Sequence, residues 1–410
     1  MTQPVPTALM GTLLALCAVA ASDASAQSGP IVLNEQIQFG DIFAGQQLNV
    51  VVARQQVTVT NTALGNQLAG GAEERDVSVQ NRQYQHGTTS AEVSLYIGDE
   101  AAGRVTAVNQ ARANEASIAA NGAELVLDSD QANYGSAIAR TILGNTEAHL
   151  TGGISLSSAA YSNAMTAGGK NAVTTGAISQ STSGSTVAET YAPARYVPGA
   201  AYYASDAAAN LTQLTTTGSS AQRVEVGQVS EGWTSAETVA TAANAWNSVA
   251  TSSAAANRIN ASNAGGSQVV TTRQSNIGGV QSQASTYAYD YGDLRAVADG
   301  VANQVSVSNQ DVWVEIDNSQ FNSGGVSVQA ELTAHNGYEA YVGANAAGNS
   351  VTGYACADCG GILNTNTTQT NNGNVSATAV TNIGGQGRAV ITGTTATGNT
   401  ASFYVTRPGG

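Results

Sequence analysis

Charge is scarce in this chain, and positive charge is scarcer still. Aspartate, glutamate, lysine and arginine make up 10% of its 410 residues, against roughly a quarter of an average globular protein. There are 14 cations and 28 acids, the net charge is −14, and Lys170 is the one lysine. A nucleic-acid-binding protein needs a concentrated basic face that displaces phosphate counterions. The composition therefore argues against nucleic acid as a partner.

Bulky apolar side chains and prolines are also few. Aromatic residues make up 5% of the chain, and it has six prolines but 45 glycines. An ordinary enzyme core needs larger side chains than the alanine, serine, threonine, asparagine, glutamine and glycine that dominate here. Disordered chains usually carry more charge and more proline. The composition favours an ordered structure built from small residues.

The amino terminus has the pattern of an export signal. An apolar stretch from Thr7 to Ala21 is too short to span a membrane as a helix. It precedes Ala24-Ser25-Ala26, a small-x-small cleavage pattern. We predict a signal peptide at 1–26 and a mature repeat domain at 27–410. The first nine residues lack lysine and arginine, which leaves an uncleaved leader or a lipoprotein at Cys17 as alternatives.

Cysteine is nearly absent from the predicted mature chain. Cys356 and Cys359 are separated by two residues, and outside the cytoplasm such a pair predicts a small disulfide loop. A zinc site would need further ligands, and no second cysteine pair or nearby histidine supplies them. A redox-active pair remains an alternative, although no thioredoxin-like βαβ pattern surrounds it.

An internal repeat is the strongest feature of the sequence. A glutamine followed four residues later by glycine recurs every 46 to 49 residues, and an asparagine preceded by a small residue follows each glutamine by about 30 residues. Eight copies keep both landmarks in phase, which predicts a repeat architecture. The landmarks are Gln36, Gln83, Gln131, Gln180, Gln228, Gln274, Gln320 and Gln369, with Asn66, Asn114, Asn163, Asn210, Asn257, Asn303, Asn349 and Asn399.

Each copy has the alternation of β-strands separated by glycine and asparagine turns. Even the alanine-rich runs at 101–120 and 239–256 lack a helical apolar stripe, so we interpret them as strands and turns. Strand repeats with small interior residues predict an all-β, parallel β-solenoid. Because alanine, serine and valine cannot fill a wide interior, we expect two thin rungs in each copy, or about sixteen rungs in all, with one wide rung in each copy as the alternative.

The repeated amides have a structural explanation. Glutamine and asparagine carry both donors and acceptors, so stacked copies can bond to the copies above and below. A column of like charges would repel itself, in keeping with the low charge. We therefore interpret both landmark series as structural amide ladders, with no catalytic role.

The sequence offers few groups for catalysis or for binding a cofactor. His86, His149 and His335 lie too far apart in sequence for a metal-ligand motif, so we interpret each as a lone surface residue. Acidic pairs such as Asp128/Asp130 and Asp290/Asp293 are interpreted as solvated turns, with calcium binding as the alternative. No cofactor or metal is expected. Two tyrosine clusters, one at 191–203 and one at 287–291, could stack on sugar rings, join an interface or cover a solenoid face.

The Gln-x-Asn-x-Gly copies resemble curlin repeats, although they are about twice as long. Together with the leader and the segment from Asn34 to Gly45, they make the chain similar to the holdfast anchor proteins of stalked bacteria, in particular the D family. The resemblance implies secretion through a curli-like outer-membrane pore, association with sister anchor proteins, and attachment of an extracellular adhesive polysaccharide to the outer membrane. It also leaves self-assembly open.

Three functions are therefore under consideration. The first is a non-enzymatic surface structural or adhesion protein, which export and repeats favour. The second is a secreted β-helix polysaccharide lyase or hydrolase, which would need carboxylates from neighbouring rungs to meet in one groove. The third is an S-layer or phage-type structural component.

Overall fold

The chain folds as a regular series of β-strands and turns. A computed structural model describes residues 30–356 and 361–406, and every regular element within them is a strand. In chain order the strands are β1 (Ile31–Gln38), β2 (Ile42–Ala53), β3 (Val57–Glu73), β4 (Val77–Gln85), β5 (Thr89–Ala101), β6 (Val105–Asn121), β7 (Glu124–Asn133), β8 (Ala137–Leu143), β9 (Ile154–Lys170), β10 (Val173–Thr182), β11 (Thr186–Thr217), β12 (Ala221–Ser230), β13 (Thr234–Asn263), β14 (Ser267–Asn276), β15 (Val280–Asn309), β16 (Trp313–Asn322), β17 (Val326–Cys356), β18 (Ile362–Asn371), β19 (Val375–Ile383) and β20 (Gly387–Thr406).

Each sequence copy forms one rung of the fold. A rung has a short strand, here called side 1, followed by two longer segments, sides 2 and 3, which are either separate strands or one continuous bent strand. In rung 6, for example, β14 is side 1 and β15 forms sides 2 and 3. The rungs are numbered in chain order as 1 (31–73), 2 (77–121), 3 (124–170), 4 (173–217), 5 (221–263), 6 (267–309), 7 (313–356) and 8 (362–406).

Consecutive rungs stack in parallel with the landmarks in register. Gln36 pairs with Gln83, Gln228 with Gln274, and Asn257 with Asn303. Side 1 strands form an eight-stranded parallel sheet, and sides 2 and 3 form a second, larger one. This in-register parallel stack confirms the predicted all-β solenoid, including strands in both alanine-rich runs.

The prediction of two thin rungs in each copy is wrong, because each copy makes one. A long rung does not have to enclose a wide interior, because the rung is flat. Ser252 on side 3 donates from its Oγ to the backbone oxygen of Ala236 on side 2 at 2.7 Å. A serine side chain therefore reaches across the interior. At about 4.8 Å per rung, eight rungs make a stack of about 40 Å, half the expected length.

The first part of side 3 packs against side 2 and its later part packs against side 1, so the interior holds two separate apolar clusters. In rung 2, Leu95 of side 2 and Ala107 of side 3 belong to the first cluster. Val79 of side 1 and Ile118, farther along side 3, belong to the second. The landmark amides lie along side 1 and side 3 at the boundary between these clusters, which is where the fold brings them together.

The landmark glycine marks the bend from side 1 to side 2. A Cβ at Gly278 would collide with the backbone oxygen of Gly232 one rung away, and a Cβ at Gly324 would collide with that of Gly278. The rungs approach closely in this column, so a side chain there would push them apart. The same close approach recurs from rung to rung, which explains the landmark glycine in rungs 2 to 8.

Candidate functional site

The eight landmark glutamines form one continuous column of side-chain hydrogen bonds. Each glutamine from rung 2 onwards donates from Nε2 to Oε1 of the glutamine in the preceding rung, at 2.7–3.0 Å. The same nitrogen also donates to a side 3 backbone oxygen, as Gln274 does to Gln304 at 3.0 Å. Each amide thus donates from its nitrogen and accepts at its oxygen. The column lies at the boundary between the two clusters, where water could not replace these hydrogen bonds.

The eight landmark asparagines form a second column that runs in the opposite direction. Each of the first seven donates from Nδ2 to Oδ1 of the asparagine in the following rung, at 2.8 Å. The same nitrogen also donates to a side 1 backbone oxygen in that following rung, as Asn257 does to the Ser275 oxygen. The two columns therefore tie side 1 to side 3 within a rung and between rungs.

The small residue before each asparagine has a steric explanation. The pairing of β13 with β15 skips this position, passing from Ala255 opposite Val301 to Asn257 opposite Asn303. The skipped residues Ala256 and Ala302 are fully buried, as are Asn257 and Asn303, so a local bend in both strands turns two successive side chains inward. Gly65 occupies the equivalent position in rung 1, and a Cβ there would collide with the backbone oxygen of Ala113.

The predicted disulfide falls partly beyond the described residues. Cys356 ends β17 and is fully buried, whereas Cys359 lies outside the described residues. The pairing stays a prediction. The predicted signal peptide at 1–26 also lies outside them.

The histidines lie in aromatic contacts instead of standing alone on the surface. The His86 ring stacks between Phe39 and Tyr134, with centroid separations of 4.9 and 4.8 Å. His335 stacks on Tyr289 at 4.6 Å. These partners come from neighbouring rungs, so a search by spacing within one copy could not find them. Comparing equivalent positions between copies would have found the Phe39, His86 and Tyr134 column.

The acidic pairs have local partners. Asp128 forms an ion pair with Arg82 at 2.7 Å, and Asp130 accepts a hydrogen bond from the Tyr84 hydroxyl at 2.9 Å. Asp293 pairs with Arg295 at 2.6 Å. Within the described part of the chain, no group of three or more histidine, cysteine, aspartate or glutamate side chains is arranged to hold a metal ion.

A groove lies at the bend from side 2 to side 3 and crosses rungs 4 to 8. Its volume is about 910 Å³, and aromatic residues Tyr196, Trp246, Tyr291 and Tyr338 line it. Trp246 meets Tyr338 edge to face at 5.9 Å, and the Arg388 guanidinium lies over the Tyr338 ring. Aromatic faces of this kind provide large amphipathic contact surfaces.

A polar column runs along the same groove. Asn244, Asp290 and Asn336 occupy equivalent positions in rungs 5, 6 and 7. Asn244 and Asn336 each point an amide nitrogen at the Asp290 carboxylate, at 3.2 and 3.5 Å. The Gln386 backbone nitrogen donates to Asn336 Oδ1 at 3.3 Å. Carboxylate and amide oxygens bordered by aromatic rings suit a ligand rich in hydroxyl groups.

Tyr291 supplies a buried polar group beside the groove. Its side chain is 3% exposed, and its hydroxyl has no hydrogen-bond partner among the described residues. Burial raises the pKa of this phenol, so it remains protonated at neutral pH. A buried hydroxyl without a partner is costly.

The tyrosine clusters are divided between the groove and the outer surface. Tyr196 and Tyr291 line the groove, and Tyr203 is buried in the first apolar cluster. The others are substantially exposed, at Tyr191, Tyr202, Tyr287 and Tyr289. Trp246 and Tyr338 were missed because the search was limited to clusters of neighbouring tyrosines.

Comparison with known proteins identifies the family of this chain. No curated protein and no solved structure matches the chain. In the described residues, no helix is long and apolar enough to cross a membrane. A family model described as HfaD, Holdfast attachment protein D, matches residues 51–325, which extend from rung 1 into rung 7 and cover more than half of the chain. The repeat and its parallel rungs therefore lie within a matched family region, and the chain belongs to the holdfast attachment protein D family.

Proposed function

We propose that this protein is a non-enzymatic attachment protein that holds an adhesive extracellular polysaccharide to the cell envelope through the groove across rungs 4 to 8. Family membership implies holdfast attachment and a location at the envelope or surface. Attachment at the outer membrane, export by a signal peptide through a secretion pore, and association with sister anchor proteins belong to the same proposal.

The groove carries the proposal. It combines aromatic walls with a polar column. Its residues come from five successive rungs, and four steps of about 4.8 Å give a length of about 19 Å. That length accommodates several sugar units of an extended chain. Sugar rings present an apolar face to an aromatic ring and hydroxyls to amides and carboxylates, so one ligand class fits both parts of the lining.

The charges beside the groove favour binding over hydrolysis. Asp293 is paired with Arg295, and Glu339 with Arg388. Asp290 faces two amides instead of a second carboxylate. Glycoside hydrolysis usually needs two carboxyl groups that face each other across the bond to be cleaved, whereas each of these carboxylates faces an arginine or an amide. This arrangement supports a hydrogen-bonding role.

A matched tryptophan pair tests the proposal. Trp246 lines the groove, and Trp233 lies outside it in the same rung with comparable exposure, 46% against 55% for Trp246. We expect Trp246→Ala to weaken binding of purified adhesive polysaccharide about tenfold or more, as loss of an aromatic contact worth about 1.4 kcal/mol or more would do. Trp233→Ala should bind as the wild type does.

The same variants should be examined in cells that lack the native gene. We expect the Trp246→Ala strain to release adhesive polysaccharide into the medium, where lectin staining detects it, while the Trp233→Ala strain retains it on cells. Surface levels of each variant must match the wild type. Retention by both strains would exclude the groove as the attachment site, and altered polysaccharide chain length on cells would favour the hydrolase or lyase.

A further inference from the structure

A second concave surface lies on the outer face of side 3, beside the asparagine column. Side 3 bends where two successive residues such as Ala302 and Asn303 turn inward. Over that bend the outer face forms a trough of about 600 Å³ that crosses rungs 5 to 8. Ten residues of strand separate Val301 in the trough from Tyr291 in the groove, or about 33 Å along the chain. The trough is therefore separate from the groove.

In rungs 3 to 5 the same surface is filled by side chains of the protein itself. The Tyr161 hydroxyl donates to one carboxylate oxygen of Asp206 at 2.7 Å, and Arg258 donates to the other at 3.3 Å. In these rungs the outward-facing Ala208 and Ala255 are 0% exposed. The surface is thus closed there by a hydrogen-bonded cluster.

The trough opens in rungs 6 to 8 because smaller side chains occupy the equivalent positions. The position of Tyr161 is occupied by Val301 in rung 6 and by Ala347 in rung 7. Both are half-buried and form the floor of the trough. Arg258 lies at the closed end. The protein fills one half of this surface and leaves the other half free for a ligand.

Two lines of polar side chains border the open part. The first line takes one residue each from rungs 6, 7 and 8, and the second line does the same. The first is Asp299, Asn345 and Thr395, and the second is Gln304, Ser350 and Thr400. Asn345 Nδ2 donates to the Asp299 carboxylate at 2.8 Å. Within the described residues, the side chains of the second line form no hydrogen bond, so their donors and acceptors are available to a ligand.

The lining favours a polysaccharide strand over a peptide. Polar groups recur on both borders at each rung, about 4.8 Å apart, and a sugar chain carries hydroxyls along both of its edges. Peptide segments usually bind by pairing with a free strand edge or by placing apolar side chains in pockets. The strands under the trough, β13, β15 and β17, are already paired on both sides. The floor offers only the short side chains of Val301 and Ala347.

We propose that the trough is a second polysaccharide-binding site, distinct from the groove. The proposal rests on the proposed function for its partner, because the ligand is the same adhesive polysaccharide, but it does not depend on the groove. Two sites in one chain hold the polysaccharide at two points, so release from one site leaves the other bound. Simultaneous binding raises the overall affinity above that of either site alone.

Filling the trough with a tyrosine tests the proposal. Ala347→Tyr places in rung 7 the side chain that Tyr161 provides at the equivalent position in rung 3, so the fold should tolerate it. Ser327→Tyr adds the same side chain at an exposed position on side 2 of rung 7 and serves as the control. Asn345→Ala is a second variant, at an exposed position, which removes a border group without adding volume. Circular dichroism should show the same β-structure in all of these proteins.

Isothermal titration calorimetry with short fragments of the purified adhesive polysaccharide counts the sites. The concentrations should be chosen so that a site weakened tenfold stays empty. We expect two fragments per chain for the wild type and for Ser327→Tyr, and one for Ala347→Tyr. Trp246→Ala, which removes the groove contact, should also bind one. Asn345→Ala should weaken one of the two sites about fivefold or more.

The outcomes separate the trough from the groove. One fragment per wild-type chain, lost in Trp246→Ala and kept in Ala347→Tyr, would overturn the trough proposal and leave the proposed function standing. Two fragments per Ala347→Tyr chain would also overturn it. Loss of a fragment in Ala347→Tyr but not in Trp246→Ala would support the trough and exclude the groove. A wild-type chain that binds no fragment would overturn both.

Discussion

Substitution of Gln274 should reveal how much the glutamine column stabilises the fold. Gln274 donates to Gln228 Oε1 at 2.8 Å and accepts from Gln320 Nε2 at 2.8 Å. Its nitrogen also donates to the Gln304 backbone oxygen at 3.0 Å. The appropriate change is Gln274→Met, because methionine keeps nearly the same length and volume while removing all three bonds. The loss then reports on hydrogen bonding with little contribution from a new cavity.

The expected cost follows from the groups left without partners. Gln228 Oε1 and one Gln320 N–H would remain buried and unpaired, since Gln228 is 0% and Gln320 2% exposed. At about 1–3 kcal/mol for each such group, the free energy of unfolding should fall by about 2–6 kcal/mol. The control is Gln281→Met, an outward-facing glutamine on side 2 of the same rung. A surface change of this kind is usually worth within about 0.5 kcal/mol.

Equilibrium unfolding in urea, followed by far-ultraviolet circular dichroism, measures this difference. Repeat proteins can lose cooperativity when one repeat is weakened, so the slope of the transition must be compared as well as its midpoint. Hydrogen exchange measured by mass spectrometry would then show whether rungs 5 to 7 open first. If Gln274→Met falls within about 1 kcal/mol of the wild type, or costs no more than Gln281→Met, the column does not stabilise the stack as argued.

Two further substitutions test the packing beside the asparagine column and the outer charges. Ala302→Leu should lower the free energy of unfolding by about 1–3 kcal/mol or more, because Ala302 is fully buried beside the asparagine column; an unchanged urea midpoint would contradict this packing. Glu237→Gln should raise the urea midpoint at pH 7 and leave it unchanged near pH 3. Burial, followed by the charge of Glu189, raises the pKa of Glu237, so the penalty on folding is absent below the unfolded value of about 4.3, grows as pH rises above it and is complete above the raised pKa. An equal gain at both pH values would contradict an electrostatic origin.

The repeat was predictable because stacking in register copies a residue type from rung to rung. Glutamine, asparagine and glycine each occupy a position where the neighbouring rung presents the same group, and the sequence period reports that directly. The number of rungs was not predictable from composition. Small interior residues are compatible with either a narrow round rung or a wide flat one, and only contacts such as Ser252 to Ala236 decide between them.

The groove was harder to predict for a different reason. Its lining residues lie in five copies, and they vary in type from one copy to the next, as at Asn244, Asp290 and Asn336. A search for identical residues therefore misses the column, although aligning the copies by the landmark glutamines places these polar residues together. Trp246 and Tyr338 occupy equivalent positions two rungs apart, and they meet because Gly292, at that position in the rung between them, has no side chain.

The scarcity of charge follows from the same stacking. A charged side chain in one rung lies about 4.8 Å from the equivalent position in the next, so a repeated charge would repel its own copies. Of the eight ion pairs among the described residues, six join neighbouring rungs, including Arg82 with Asp128 and Arg140 with Glu189. Charge is thus accommodated where its sign alternates along the stack. Glu189 and Glu237 break that alternation in adjacent rungs, and the raised pKa of Glu237 is the consequence. The buried columns avoid this repulsion because an amide donates on one side and accepts on the other, so copies of one residue attract each other.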